Sequence, residues 1–118
     1  MDRQTPIFSK TFDLTSWLLQ VTEHFPRSQR FVVTKRMLDA SLDFQELLVE
    51  ANALRGAKRA ERLQQADAAL VKMRLYLRLA VRFEWLSTGQ YEHGSRMVVE
   101  VGRLLGGWMK TERQSASV

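Results

Sequence analysis

Apolar residues along this chain recur at intervals of three and four, in four blocks separated by glycine and proline. The first block covers about 8–25, with Ile7, Leu14, Leu18, Val21 and Phe25 spaced around Thr11. Pro26 then closes it, because a proline ring clashes with a continuing helix. The second block, about 28–54, carries Val33, Met37, Ala40, Phe44, Leu47, Ala51 and Leu54, and Gly56 supplies a C-terminal stop. The third, about 57–86, repeats the rule with Leu63, Ala66, Leu70, Met73, Leu77 and Ala80. The fourth, about 88–110, carries Tyr91, Gly94, Val98, Val101, Leu105 and Trp108, preceded by Ser87 and Gln90 in capping-box spacing. Nothing alternates with the period of two that a strand requires. Alternating 3–4 seams joined by short links predict an all-α fold, an antiparallel up-down four-helix bundle. The expected domain is single and spans 1–118, with short flexible tails at 1–6 and 112–118.

Some apolar residues lie off these seams. In the second block these are Phe31, Leu38, Leu42 and Val49, and in the third Val71, Leu75 and Leu79 point nearly opposite Met73 and Leu77. A helix with two apolar faces needs two neighbours. In a lone bundle the second face would meet water, so self-association is expected, with Leu38, Leu42, Val71, Leu75 and Leu79 as the candidate oligomer interface.

Charge adds a second pattern. Residues 55–82 hold Arg55, Lys58, Arg59, Arg62, Lys72, Arg74, Arg78 and Arg82 against Glu61 and Asp67, and the rest of this +5 chain is close to neutral. Of the 18 basic residues, 13 are arginine, whose planar fork grips phosphate bidentately and stacks on bases. Such a localised excess suits a polyanion, although a solvated helix face has the same composition. The chain has no cysteine, which excludes disulfides, thiolate metal sites and cysteine nucleophiles and makes a reducing cytoplasm the expected compartment. The first residues lack the apolar segment of a signal peptide, and no apolar run is long enough for a membrane span.

Arg74, Arg78 and Arg82 recur every four residues, about 100°, 140° and 180° around the helix from Met73. Few carboxylates lie at helical spacing from them, so they are the leading candidates for phosphate contact, with pairing to another helix or subunit as the alternative. Arg96, Arg103 and Lys110 form a second row, in which Glu92 and Glu100 flank Arg96 as a salt-bridge ladder. Arg27, Arg30, Lys35 and Arg36 surround the start of the second helix, where the helix dipole also favours an anion. Gly102 suits close helix approach, and Gly106-Gly107 suits a helix end. Enzyme signals are weak: His24 and His93 lack a ligand-spaced partner, and Glu46 with Glu50 lacks the accompanying Glu-x-x-His. No catalysis and no cofactor or metal are expected.

Three stretches carry a family resemblance: Phe25-Pro26-Arg27-Ser28-Gln29-Arg30-Phe31, Leu47 to Asn52, and Tyr91-Glu92-His93 through Gly102-Arg103-Leu104-Leu105-Gly106-Gly107-Trp108-Met109-Lys110. Together with Leu70 to Ala80 they resemble the accessory variability determinant proteins of diversity-generating retroelements. The related four-helix proteins encoded by intervening sequences of 23S rRNA genes fit less well, because Val49-Glu50-Ala51-Asn52-Ala53 departs from their Asn-Ile-Ala-Glu-Gly run.

The resemblance implies a homopentamer that binds RNA, DNA and the element's reverse transcriptase and supports mutagenic cDNA synthesis without polymerase chemistry of its own. Carried onto this sequence, its basic candidates are Arg74, Arg78, Arg82, Arg96 and Arg103. Glu84 interrupts the basic character after Arg82. The competing expectation is a helical scaffold that binds an acidic protein without nucleic acid.

Overall fold

The computed structural model describes residues 4–116. α1 spans Thr5–Val21, with Pro6 in its first turn. There the missing N–H leaves no helical bond unmade and the fixed φ is already helical, so the helix starts ahead of Phe8. It also ends before Phe25. The Thr22 hydroxyl donates to the Leu18 carbonyl at 2.7 Å, the chain tightens into a 3-10 turn over Thr22–His24, and Phe25 is extended, as a residue preceding proline prefers. A second 3-10 turn at Arg27–Gln29 takes up the residues expected to open the next helix. α2 therefore runs Val33–Ala53, beginning five residues after the expected Ser28.

Leu54 and Arg55 alone connect α2 to α3, which spans Gly56–Arg82. The Leu54 N–H closes α2 by donating to the Glu50 and Ala51 carbonyls. Gly56, at φ +59°, is the first residue of α3 rather than the stop of α2. α3 ends at Arg82, short of Leu86, in a Schellman turn. Trp85 N–H donates to the Ala80 carbonyl at 2.8 Å and Glu84 N–H to the Val81 carbonyl at 3.1 Å, with Glu84 in the left-handed region at φ +62°. Glycine normally takes that place, which is why sequence alone carried the helix too far.

α4, Thr88–Ala116, opens on the expected capping box: Gln90 N–H donates to Ser87 Oγ at 3.1 Å, and Ser87 N–H to Gln90 Oε1 at 2.9 Å. The helix continues well past Lys110. Of the residues assigned to tails, Thr5, Pro6 and 112–116 are helical, while 1–3 and 117–118 lie outside the described residues. Gly106 and Gly107 are consequently interior to α4, not at its end.

The helices form an antiparallel square in which each packs on its neighbours in sequence and α1 also meets α4. The resulting rod measures 50 × 25 × 22 Å. Every α3 seam residue from Leu63 to Ala80 is buried, as are Gly94, Val98, Val101, Leu105 and Trp108 of α4. On α2 the seam passes through Leu48, fully buried, rather than the half-buried Leu47. A step of four follows Phe44 there, because an α-helix turns at 3.6 and not 3.5 residues. Gly94 has a definite steric role: a Cβ there would come within 2.7 Å of the Trp17 ring, which lies across α4. A buried hydrogen bond of 3.0 Å between Thr15 and Ser41 hydroxyls fixes α1 against α2.

The Glu84 backbone yields a direct test. Glu84→Gly removes left-handed strain and is expected to stabilise the bundle by up to about 1 kcal/mol, seen as a raised thermal midpoint by circular dichroism. A lowered midpoint would show that the Glu84 side chain contributes more than the turn geometry costs.

Candidate nucleic-acid interface

The seam of α3 decides which of its arginines face water. With Leu63 to Ala80 turned inward, Arg74, Arg78 and Arg82 fall on the side that borders α4 and solvent, and all three are exposed. Among the described residues none of the three makes a hydrogen bond or ion pair within the chain. Arg74 leans over α4, where its Nη2 lies 2.8 Å from the position a Cβ on Gly102 would occupy, with Leu70 beneath at 3.3 Å. Gly102 leaves room for the tip of this side chain and for Leu70, so crowding by side chains rather than the expected close approach of helix backbones is what surrounds it.

The basic residues at the other end of α3 behave differently. Arg59 donates from Nε to the Ala51 carbonyl at 2.8 Å and from Nη2 to Asn52 O at 3.3 Å, so it caps the end of α2. Its Nη1 pairs with Glu112 of α4 at 2.8 Å, with both side chains more than four-fifths buried. The same guanidinium lies 5.9 Å from the centre of the Trp108 ring, within cation–π range. Arg62 pairs with Glu50 at 3.0 Å, and Arg55 donates to the Asn52 and Leu54 carbonyls. These three arginines join α2, α3 and α4. The charge excess of 55–82 thus divides into a structural lower part and an open upper part.

On α4, the ladder expected around Arg96 does not form. Glu100 pairs instead with Lys10 of α1 at 3.5 Å, because at about −100° from Val101 it lies on the α1 side of the helix. Arg96, Arg103 and Lys110 are exposed and without ion pairs among the described residues. Arg96 and Arg103, with Ser95, Val99 and the Glu100 carboxylate, border a shallow groove of about 390 Å³. At the start of α2, Lys35 is engaged by Asp39 at 2.6 Å, while Arg27, Arg30 and Arg36 are exposed.

Of the residues considered for self-association, Leu42, Val71 and Leu75 are exposed, while Leu38 and Leu79 are half-buried. Leu38 packs against its own core. Sequence reading missed Phe12 and Leu19. They face Leu42 and Val49 across a groove of about 680 Å³ between α1 and α2, rimmed by Glu46 and Glu50. They are seven residues apart, a helical repeat that could have exposed them as a second α1 face. Among the described residues no cluster of three His, Cys, Asp or Glu could hold a metal, and no helix is long and apolar enough to cross a membrane.

A family model described as bAvd-like matches residues 7–112. The chain belongs to the bAvd-like family. This agrees with the retroelement resemblance carried by the Gly102–Lys110 motif. The fold of this bAvd-like protein is also that of a crystal structure from Bacteroides thetaiotaomicron VPI-5482, a protein of unknown function from the S23 ribosomal protein family. The two share 20% identity at a TM-score of 0.84, over 92% of this chain and 99% of that one. No curated protein matches the sequence.

Structural and open arginines should separate on substitution. Arg59→Ala leaves the Glu112 carboxylate without this donor, takes one of two donors from each of the Ala51 and Asn52 carbonyls and is expected to cost about 2 kcal/mol of stability in chemical denaturation. Arg78→Ala should stay within about 0.5 kcal/mol of the parent. Equal losses at the two positions would contradict the division.

Proposed function

We propose that this bAvd-like protein is a non-catalytic, oligomeric accessory factor of a diversity-generating retroelement. In this reading it binds RNA and DNA, engages the element's reverse transcriptase and supports mutagenic cDNA synthesis. The observation that carries the reading is the unpaired row Arg74, Arg78 and Arg82, exposed on α3, with Arg96 and Arg103 exposed on α4, in a chain of this family. The row rises along α3 in steps of about 6 Å, one guanidinium per helical turn. Its arginines need no rearrangement of the bundle to meet phosphates. Binding of this kind releases counterions and is therefore salt-sensitive and largely indifferent to sequence. Lys110, Arg27, Arg30 and Arg36 extend the basic surface, and Lys35 contributes less because Asp39 neutralises it.

Assembly multiplies the effect. Five copies of a +5 chain would hold about +25, which strengthens non-specific binding to a polyanion. The exposed Leu42, Val71 and Leu75 are the side chains that a neighbouring subunit would cover. Leu38 and Leu79 would support them from partly buried positions.

Two measurements test this reading. Arg74→Ala with Arg78→Ala should weaken RNA binding in filter assays and flatten its dependence on salt by about one unit of log–log slope per lost contact, with little change in thermal midpoint. Intact binding with a large stability loss would assign the row to structure. Val71→Glu with Leu75→Glu should lower the mass found by light scattering, and an unchanged mass would place the subunit contact elsewhere.

A further inference from the structure

The row Arg74, Arg78, Arg82 runs directly into Phe83, a phenylalanine that is 61% exposed. Its ring is not loose. It stacks on Trp85 at 5.6 Å between centroids with an interplanar angle of 24°. Trp85 in turn packs on the buried Phe25 at 5.6 Å. Phe83 is thus held in place from behind while most of its surface remains open.

The Phe25–Trp85 contact also ties the α3–α4 turn to the α1–α2 connection, which the antiparallel topology brings to the same end of the rod. That connection presents Phe31, 80% exposed, together with exposed Arg27 and Arg30. No ion pair among the described residues involves Arg27, Arg30 or Arg82. The carboxylates in these two connections are Glu23 and Glu84.

Two aromatic rings this exposed leave apolar surface in water that an apolar partner would cover favourably, and a flat ring face suits a flat partner that can stack on it. The surrounding arginines specify that the cover carries negative charge. Unpaired nucleobases on a phosphate backbone meet both requirements, since every base has a π-face and a phosphate beside it. A duplex meets only the second, because stacking hides its base faces. We propose that Phe83 and Phe31, flanked by Arg82, Arg27 and Arg30, form a stacking site for single-stranded nucleic acid at this end of the bundle. The α3 row holds the incoming backbone. The site rests on the nucleic-acid reading above and adds to it a preference for unpaired strands.

Fluorescence anisotropy with labelled oligouridylate, and with an RNA duplex of equal phosphate count, tests the site. Phe31→Ala with Phe83→Ala should weaken oligouridylate binding about tenfold or more, leave duplex binding unchanged and leave the salt slope unchanged. Phe83→Tyr keeps an aromatic face and should bind oligouridylate as the parent does. Phe31→Ala alone, at the more exposed residue, should show a loss for the single strand without any loss of thermal midpoint.

If both RNAs bind and the phenylalanine variants match the parent, the stacking site is wrong while the arginine row stands. An equal loss on both RNAs also overturns it. Loss of reverse-transcriptase capture with oligouridylate binding intact would reassign the rings to a protein contact. If the parent protein binds neither RNA, the proposed function fails and this site fails with it.

Discussion

α3 has one face committed to the core from Leu63 to Ala80, and that commitment fixes the electrostatics of the molecule. Its seam is built from Leu63, Ala66, Leu70, Met73, Leu77 and Ala80, all at most 2% exposed. Two alanines and four longer apolar side chains fill this face and leave little space for a charged group. Arginines alongside this stretch can therefore only point to its flanks or outward, while Arg59, four residues before Leu63, takes up the seam register where the apolar stretch ends. What happens to each then depends on which carboxylate or carbonyl lies within its reach. Near the α2–α3 turn such partners are abundant: the last carbonyls of α2, Glu50 and Glu112. Farther up they are missing, and the guanidinium groups stay in solvent. One helix with one periodicity thus supplies both the fastening of the bundle and its open positive surface.

That division was only partly legible in the sequence. The four seams could be read because burial follows the 3.6-residue period closely, and the Ser87–Gln90 cap because its hydrogen bonds are local. Arg74, Arg78 and Arg82 could also be picked out, since the lack of carboxylates at helical spacing is a local property too. Arg59 could not. Its partners, Ala51, Asn52, Glu112 and Trp108, come from two other helices. The same limit explains the Arg96 ladder, where the carboxylate four residues away, Glu100, is drawn to Lys10 across a helix interface.

Helix ends were the other weak point, and each has a specific cause. The start of α2 was misplaced because Pro26 imposes an extended entry followed by 3-10 geometry, a choice made by backbone bonds rather than by side-chain pattern. The end of α3 was misplaced because glutamate occupies a left-handed position that composition would reserve for glycine. The α1–α2 groove escaped notice because Phe12 and Leu19 sit one place beyond the seam, where a single exposed apolar residue is unremarkable. Their alignment with Leu42 and Val49 exists only once two helices are side by side.

Gly106 and Gly107 lie in mid-helix with no atom within 4 Å of where their Cβ atoms would be, so no steric crowding accounts for them. Two adjacent residues of such low helix propensity weaken α4 by about 2 kcal/mol relative to alanine. Beyond them the helix is anchored by the burial of Trp108 and by the hold of Arg59 on Glu112. The final turns of α4 are consequently held in helical form by these tertiary contacts more than by their own propensity, so the end of the helix depends on the bundle for its shape.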